Sequence, residues 1–302
     1  MAFLATSELP FRPMTLRNAL SYFRRQLEGL YDPKEAKNIA EIALQHIADC
    51  SRLHLLMHGE QILSDAQVAT MHDFLDALLQ YCPLQHLTGE TMFCGLHIAC
   101  SPDALIPRPE TEELVAWTID TCRDEGISAP HIADIGTGTG CIALALCRYI
   151  PQAHITGIDL SLKALHLAQR NAQSLHLAVA WRQVDILQPD ADAWADLPPF
   201  DIWVSNPPYI PQREMAELSP QVADYEPHLA LAVPDDDPCL FYKAIARAAR
   251  KCLKPQGFLL VETHELYADA SVQAIANFGF GDIVIRHDIN GKARMVRGRR
   301  GE

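Results

Sequence analysis

The chain has no run of 18 apolar residues, no C-x-x-C pair, no H-E-x-x-H and no Gly-Lys-Ser/Thr. Each absence removes a class of protein. Without a long apolar run, a membrane-spanning helix is not expected. The first residues also lack the basic segment and apolar core of a signal peptide, so a cytoplasmic protein is expected, with no membrane partner. The nine cysteines are an odd number without paired spacing. They suit a reduced interior better than a disulfide or zinc framework. The thirteen histidines fall in no ligand pattern, so no metal is expected. Basic charge is scarce: 25 Lys and Arg against 38 Asp and Glu leave a formal net charge of −13. A protein gripping phosphates needs the opposite balance, so direct nucleic-acid binding is not expected. What is present is the composition of a soluble globular protein, 49% hydrophobic and 21% charged. Its 302 residues make room for one large or two ordinary domains.

The most informative stretch runs from His131 to Asn171. Ile132, Ala133 and Ile135 read as a strand that stops at Gly136, after which Gly136, Gly138 and Gly140 alternate with Thr137 and Thr139. Cys141 to Ile150 is apolar almost throughout and is closed by Pro151, a helix wedged against a sheet. His154 to Ile158 reads as the next parallel strand and ends at Asp159. A carboxylate ~20 residues past such glycines stands where a ribose presents its hydroxyls. The third glycine comes one residue too early for a dinucleotide fingerprint, Cys141 occupying that place. Asp134, just ahead of the glycines, would repel a pyrophosphate and suits an ammonium. The D-x-G-x-G-x-G arrangement resembles the S-adenosylmethionine site of class I methyltransferases.

Val179 to Val184 reads as a third strand with Asp185 at its end, where a doubly wound sheet lines its ligand crevice. An aspartate there can accept from an adenine amino group, and Ile186 offers the ring an apolar contact. A fourth strand, Asp201 to Ser205, runs into Asn206-Pro207-Pro208-Tyr209. After a strand, N-P-P-Y suits methylation of a conjugated nitrogen. Such a nitrogen is a poor nucleophile and must be held by its N–H groups with its lone pair aimed at the methyl. The Asn206 oxygen and Pro207 carbonyl can accept those N–H bonds, and Tyr209 can cover the planar group. Asn206, Pro207 and Tyr209 are therefore the candidate catalytic residues, and with Pro208 they form the candidate substrate site.

Elsewhere the chain reads as scaffold. Leu16, Leu20, Phe23, Leu27 and Leu30 form a helical stripe. Asp32-Pro33 and Ser64 to Gln67 are helix starts. Residues 1–83 are expected to be a small helical domain, serving either partner recognition or structural packing alone, with 84–105 a linker carrying a β-hairpin and 106–302 the domain that holds the cofactor. Ile106 to Glu112, Pro109 opening a helix, reads by physics alone as a rigid helix entrance. Phe258 to Val261 is a fifth strand, and Asn290-Gly291 marks a C-terminal antiparallel hairpin. The Arg297 to Arg300 cluster reads as a solvated tail.

Over nearly its full length the chain resembles the release-factor glutamine N5-methyltransferases, the HemK/PrmC family. The matching stretches are PLQHLTG at Pro83 to Gly89 with Phe93, IPRPETE at Ile106 to Glu112, and DIGTGTG at Asp134 to Gly140. NPPYI at Asn206 to Ile210, YEP at Tyr225 to Pro227 and the C-terminal Asp288, Gly291 and Arg294 complete them. The resemblance implies an α/β class I S-adenosylmethionine-dependent methyltransferase, doubly wound and mostly parallel, behind a small helical bundle. It implies methyl transfer to the glutamine of the Gly-Gly-Gln motif in bacterial class I peptide chain release factors. It implies that Asp134, Gly136, Thr137, Gly138, Thr139, Gly140, Asp159, Asp185, Ile186 and Asn206 hold S-adenosylmethionine, with S-adenosylhomocysteine as product. The chain departs from the family at Asp237-Pro238, at His264 after Glu262-Thr263, and at Ile186, where some members carry an aromatic. A ribosomal-protein glutamine methyltransferase, a DNA adenine methyltransferase and a non-catalytic cofactor-binding regulator are the alternatives. Pro109-Glu110-Thr111 favours the release-factor branch over the first.

Overall fold

Four side chains start the first four helices of the chain. Thr15 accepts from the Asn18 amide, Asp32 from those of Lys34 and Glu35, Ser51 from His54 and Ser64 from Gln67. Each satisfies an amide that the first helical turn leaves unpaired. The helices that follow are α1 (Leu16–Leu27), α2 (Pro33–Ala48), α3 (Arg52–Met57) and α4 (Asp65–Leu79), with a short α5 (Leu84–Thr88). At Ser64 the start is a capping box: its side chain accepts from the Gln67 amide, and the Gln67 side chain accepts from the Ser64 amide. Along α1 the buried residues are Leu16, Ala19, Phe23 and Leu27, whereas Leu30 lies beyond the helix end and is exposed. They pack with Ala40, Leu44, Met71 and Leu78 into one apolar core.

The computed structural model describes residues 13–188 and 193–302, and the chain divides into two units between Thr88 and Gly89. The second unit opens with a hairpin, β1 (Glu90–Phe93) and β2 (Leu96–Ala99), turning through Cys94 and Gly95 at φ 47° and 72°. Next come α6 (Pro109–Asp124), β3 (His131–Ile135), α7 (Cys141–Tyr149), β4 (His154–Asp159), α8 (Leu162–Leu175) and β5 (Ala180–Gln183). β6 (Phe200–Ser205) is followed by two-residue strands β7 (Ile210–Pro211) and β8 (Ala232–Val233), with α9 (Pro220–Ala223) between them. α10 (Leu240–Cys252), β9 (Leu253–Glu262), α11 (Ala268–Ala276), β10 (Phe280–His287) and β11 (Ala293–Arg300) complete the unit.

Seven strands form one sheet in the order β10-β11-β9-β6-β3-β4-β5. The five from β9 to β5 run parallel, and β11 lies antiparallel between β9 and β10. Alternate residues feed opposite faces, as a pleated strand requires. Ile132, Val204 and Leu260 pack with Leu114 and Trp117 of α6 and Leu144 of α7. Ala133, Trp203, Leu259 and Val261 pack with Tyr242, Ile245 and Ala249 of α10 and Ile275 of α11. Strand order reverses between β3 and β6, and the carboxyl ends there open the crevice in which such sheets bind ligands. The small parallel pair β7–β8 was not anticipated from sequence. The Arg297 to Arg300 cluster is not a tail: it lies in β11, and the Arg297 guanidinium sits 5.4 Å and 5.3 Å from the Trp117 and Phe258 rings. No helix among the described residues is long and apolar enough to cross a membrane.

Candidate active site

β3 ends at Ile135, and the Gly136 and Thr137 amides both bond the Ile158 carbonyl at 2.8 and 2.9 Å. The chain then doubles back tightly, with Gly136, Gly138 and Gly140 at φ 70°, 55° and 82°. A side chain is strained there, which is why the turn takes glycine. The space around the three differs. A Cβ on Gly136 would meet nothing within 4 Å, so that residue leaves room for a ligand. A Cβ on Gly140 would come within 3.0 Å of Ala168 and Trp181, so that residue serves the packing of α8 and β5.

Two carboxylates hold this loop from either side. Asp134 is fully buried beneath it, and its Oδ2 accepts from the Thr137 hydroxyl at 2.6 Å and the Ala143 amide at 3.1 Å. Its Oδ1 is buried with no hydrogen-bond partner among the described residues. Burial pushes its pKa up to about 7, although the Thr137 and Ala143 bonds oppose the shift. Asp159, at the tip of β4, accepts from the Gly138 amide through Oδ2 and the Ser161 amide through Oδ1, both at 2.9 Å. Burial raises its pKa too, against those backbone bonds. From α8, the buried Asn171 donates to the Thr139 carbonyl at 2.9 Å and accepts from the Ala99 amide at 2.9 Å. It ties the loop to the β1–β2 hairpin, a role with no local signal around Asn171.

A cleft lies over this loop. Gly136 to Thr139, Asp159, Asp185, Ile186, Asn206, Pro207 and Pro208 all line it. Asp185 accepts from the Leu187 amide at 2.9 Å and so sits in a side-chain turn beyond β5. Asp134, Gly140 and Tyr209 are not in the wall: Asp134 is buried under the loop, Gly140 packs against α8 and β5, and the Tyr209 hydroxyl donates to Glu262 at 3.0 Å.

Part of the remaining wall comes from the segment entering α6, which is far more than a rigid helix entrance. Arg108 and Thr111 line the cleft. The Arg108 guanidinium pairs with Glu226, whose other oxygen accepts from the Ile106 amide at 3.1 Å. Thr111 donates to Glu262 at 2.7 Å and accepts from the Asn206 side-chain amide at 3.1 Å. Glu112 accepts from the Cys94 amide, and Glu113 from that of Ile289. One helical turn thus gathers the β1–β2 hairpin, the Tyr225-Glu226-Pro227 loop, β9, the β10–β11 turn and Asn206. Its alternating charged and polar residues were visible in the sequence, but their partners lie up to 176 positions away. Among the described residues no three His, Cys, Asp or Glu side chains form a metal-ligating group.

A parallel sheet reversing at β3, closed by an antiparallel pair and carrying a glycine loop over two carboxylates, defines the class I S-adenosylmethionine-dependent methyltransferases. The Methyltransferase domain family matches residues 128–289, and the PrmC N-terminal domain family matches residues 18–89. The chain is 36% identical to the release factor glutamine methyltransferase of Flavobacterium psychrophilum, over 94% of this chain and 99% of that one. It is 35% identical to that of Bacteroides thetaiotaomicron, over 93% and 98%. A Thermus thermophilus 16S rRNA N2 G1207 methyltransferase structure shares the fold alone, at 16% identity and a TM-score of 0.50, over 70% of this chain and 49% of that one. The chain belongs to the release factor glutamine methyltransferase family.

Proposed function

We propose that this chain transfers the methyl group of S-adenosylmethionine to the side-chain amide nitrogen of the glutamine in the Gly-Gly-Gln motif of bacterial class I release factors. The observation that carries it is the tethered Asn206 amide, its nitrogen bonded to Thr111, in the same cleft as Asp159. The cleft fits the cofactor. Asp159 is a fixed acceptor for paired ribose hydroxyls, with Asp185 and Ile186 beside it for adenine. Gly136 to Thr139 give the methionyl part close backbone approach, and the unpaired Asp134 oxygen beneath suits a nearby positive charge.

S-adenosylmethionine supplies, when bound, a methyl group on a positively charged sulfur. The protein's task is to make an amide nitrogen act as a nucleophile. The Asn206 oxygen and the Pro207 carbonyl accept its two N–H bonds and hold the lone pair on the methyl. As the new C–N bond forms and the C–S bond breaks, the nitrogen becomes positive and both acceptors bind its protons more tightly. That preference for the transition state is what accelerates the step. The nitrogen then loses one proton to water, leaving a secondary amide. Arg108, locked on Glu226, and Thr111 fix the wall beside Asn206.

Asn206→Ala removes an oriented acceptor, and single-turnover methylation of a Gly-Gly-Gln release factor should slow on the order of 100-fold or more. Near-wild-type turnover would refute the mechanism. Mass spectrometry after incubation with labelled cofactor, release factor, ribosomal proteins and DNA tests the substrate. Methyl appearing on either of the latter, with release factor unlabelled, would overturn the assignment.

A further inference from the structure

Asn206 can serve the reaction only if its oxygen, not its nitrogen, faces the amide to be methylated. The two ends of a carboxamide have the same shape, so something other than packing must choose between them. The choice is made behind the cleft wall. Glu262, at the end of β9, is buried, and its two oxygens are acceptors when ionised. Oε2 takes the Thr111 hydroxyl proton at 2.7 Å and Oε1 takes that of Tyr209 at 3.0 Å. Thr111 has a single proton. Having given it to Glu262, its oxygen can only accept from Asn206, 3.1 Å away. The Asn206 nitrogen must then face Thr111, and its oxygen is left for the cleft.

We propose that Glu262 is a positioning residue that, through Thr111, sets the polarity of the Asn206 amide and so makes it an acceptor for the substrate amide. The same carboxylate fixes Tyr209, so both ends of the Asn206-Pro207-Pro208-Tyr209 loop answer to one buried charge. The inference rests on the acceptor role proposed for Asn206. Several groups act on Glu262. Burial raises its pKa, the Thr111 and Tyr209 hydroxyls and the Arg294 charge on β11 oppose the rise, and Glu110 on α6 adds to it. The relay works with Glu262 ionised, so the rate should climb as pH rises through that upshifted titration.

Glu262→Gln keeps the side chain's shape but admits the reversed chain. The new amide can donate to Thr111, which then gives its proton to the Asn206 oxygen and turns a donor toward the substrate. Thr111→Val cuts the chain one link later, and Thr111→Ser restores it. With the full-length enzyme and release factor, kcat should fall roughly tenfold or more in Glu262→Gln and in Thr111→Val, as when one oriented contact is lost. S-adenosylmethionine affinity by calorimetry should hold, Thr111→Ser should recover most of the rate, and the pH limb should vanish in Glu262→Gln. The double variant Glu262→Gln/Thr111→Val should be no slower than the worse single one, because both break the same chain. Wild-type kcat and pH profile in a folded Glu262→Gln, or additive losses in the double variant, would overturn the relay. If Asn206→Ala itself turns over normally, the acceptor reading beneath it fails instead.

Discussion

Asp159 does two things with one carboxylate. Its oxygens hold the Gly138 and Ser161 amides, and the residue lines the cleft. Asp159→Ala should therefore weaken S-adenosylmethionine binding by roughly 1.5–3 kcal/mol, the usual range for losing a charged acceptor. Calorimetry that shows unchanged affinity in a folded variant removes Asp159 from the site. Asp134 makes a different forecast, because burial raises its pKa to about 7. In the unfolded chain an aspartate titrates near ~3.9, so between that value and about 7 the folded state holds a proton that the unfolded state has lost. The stabilisation from this proton is complete below the unfolded value and is lost as pH rises through 7. A positive cofactor favours the ionised form, so cofactor affinity should rise with pH through about 7 and then level off. The same titration in Asp134→Asn should be flat. A slope retained in that variant would assign the proton to another group.

The elements that place these residues were mostly legible in advance, and for a physical reason. Parallel strands buried on both faces are short apolar runs, and glycines and prolines punctuate them. The strands ending at Ile135, Asp159 and Ser205 are where their sequences put them. The third strand is shorter than read, Ala180–Gln183, because Asp185 closes its own turn instead of extending the ladder. What could not be read is pairing across distance. Nothing local to Thr111 says that it bonds Glu262, or that Asn171 clamps the glycine loop. Gly157 is the plainest case. It sits mid-strand in β4, and a Cβ there would stand 2.3 Å from the Trp181 ring on neighbouring β5. Gly157→Ala should cost about 1–3 kcal/mol through overpacking, read as a lower urea midpoint with an unchanged slope. Trp181→Leu should recover part of it. If Gly157→Ala is neutral, the β4–β5 contact is looser than this geometry requires.

At the scale of the whole chain, the residues assigned to the chemistry fall in one stretch. Every residue assigned above to cofactor or amide lies in the unit from Gly89 to Glu302, while the unit ending at Thr88 has a core of its own. That first unit also shows apolar side chains with no local use. Leu53, Leu56 and Met57 on α3 are 66%, 60% and 71% exposed. Their i, i+3, i+4 spacing puts them on one face of the helix. Exposed apolar residues on one face are the kind that a protein partner covers. If the release factor docks there, replacing the three by serine should raise KM for the whole release factor and leave the rate on a short Gly-Gly-Gln peptide unchanged. A chain beginning at Gly89 should go further: it should still bind S-adenosylmethionine and methylate the peptide, yet act poorly on the intact protein. The comparison separates two demands that a single rate would mix. The peptide reports the cleft alone, and the intact factor reports the cleft together with whatever holds the partner in register. Equal rates of the truncated and full-length chains on the intact factor would leave the helical unit a structural role only.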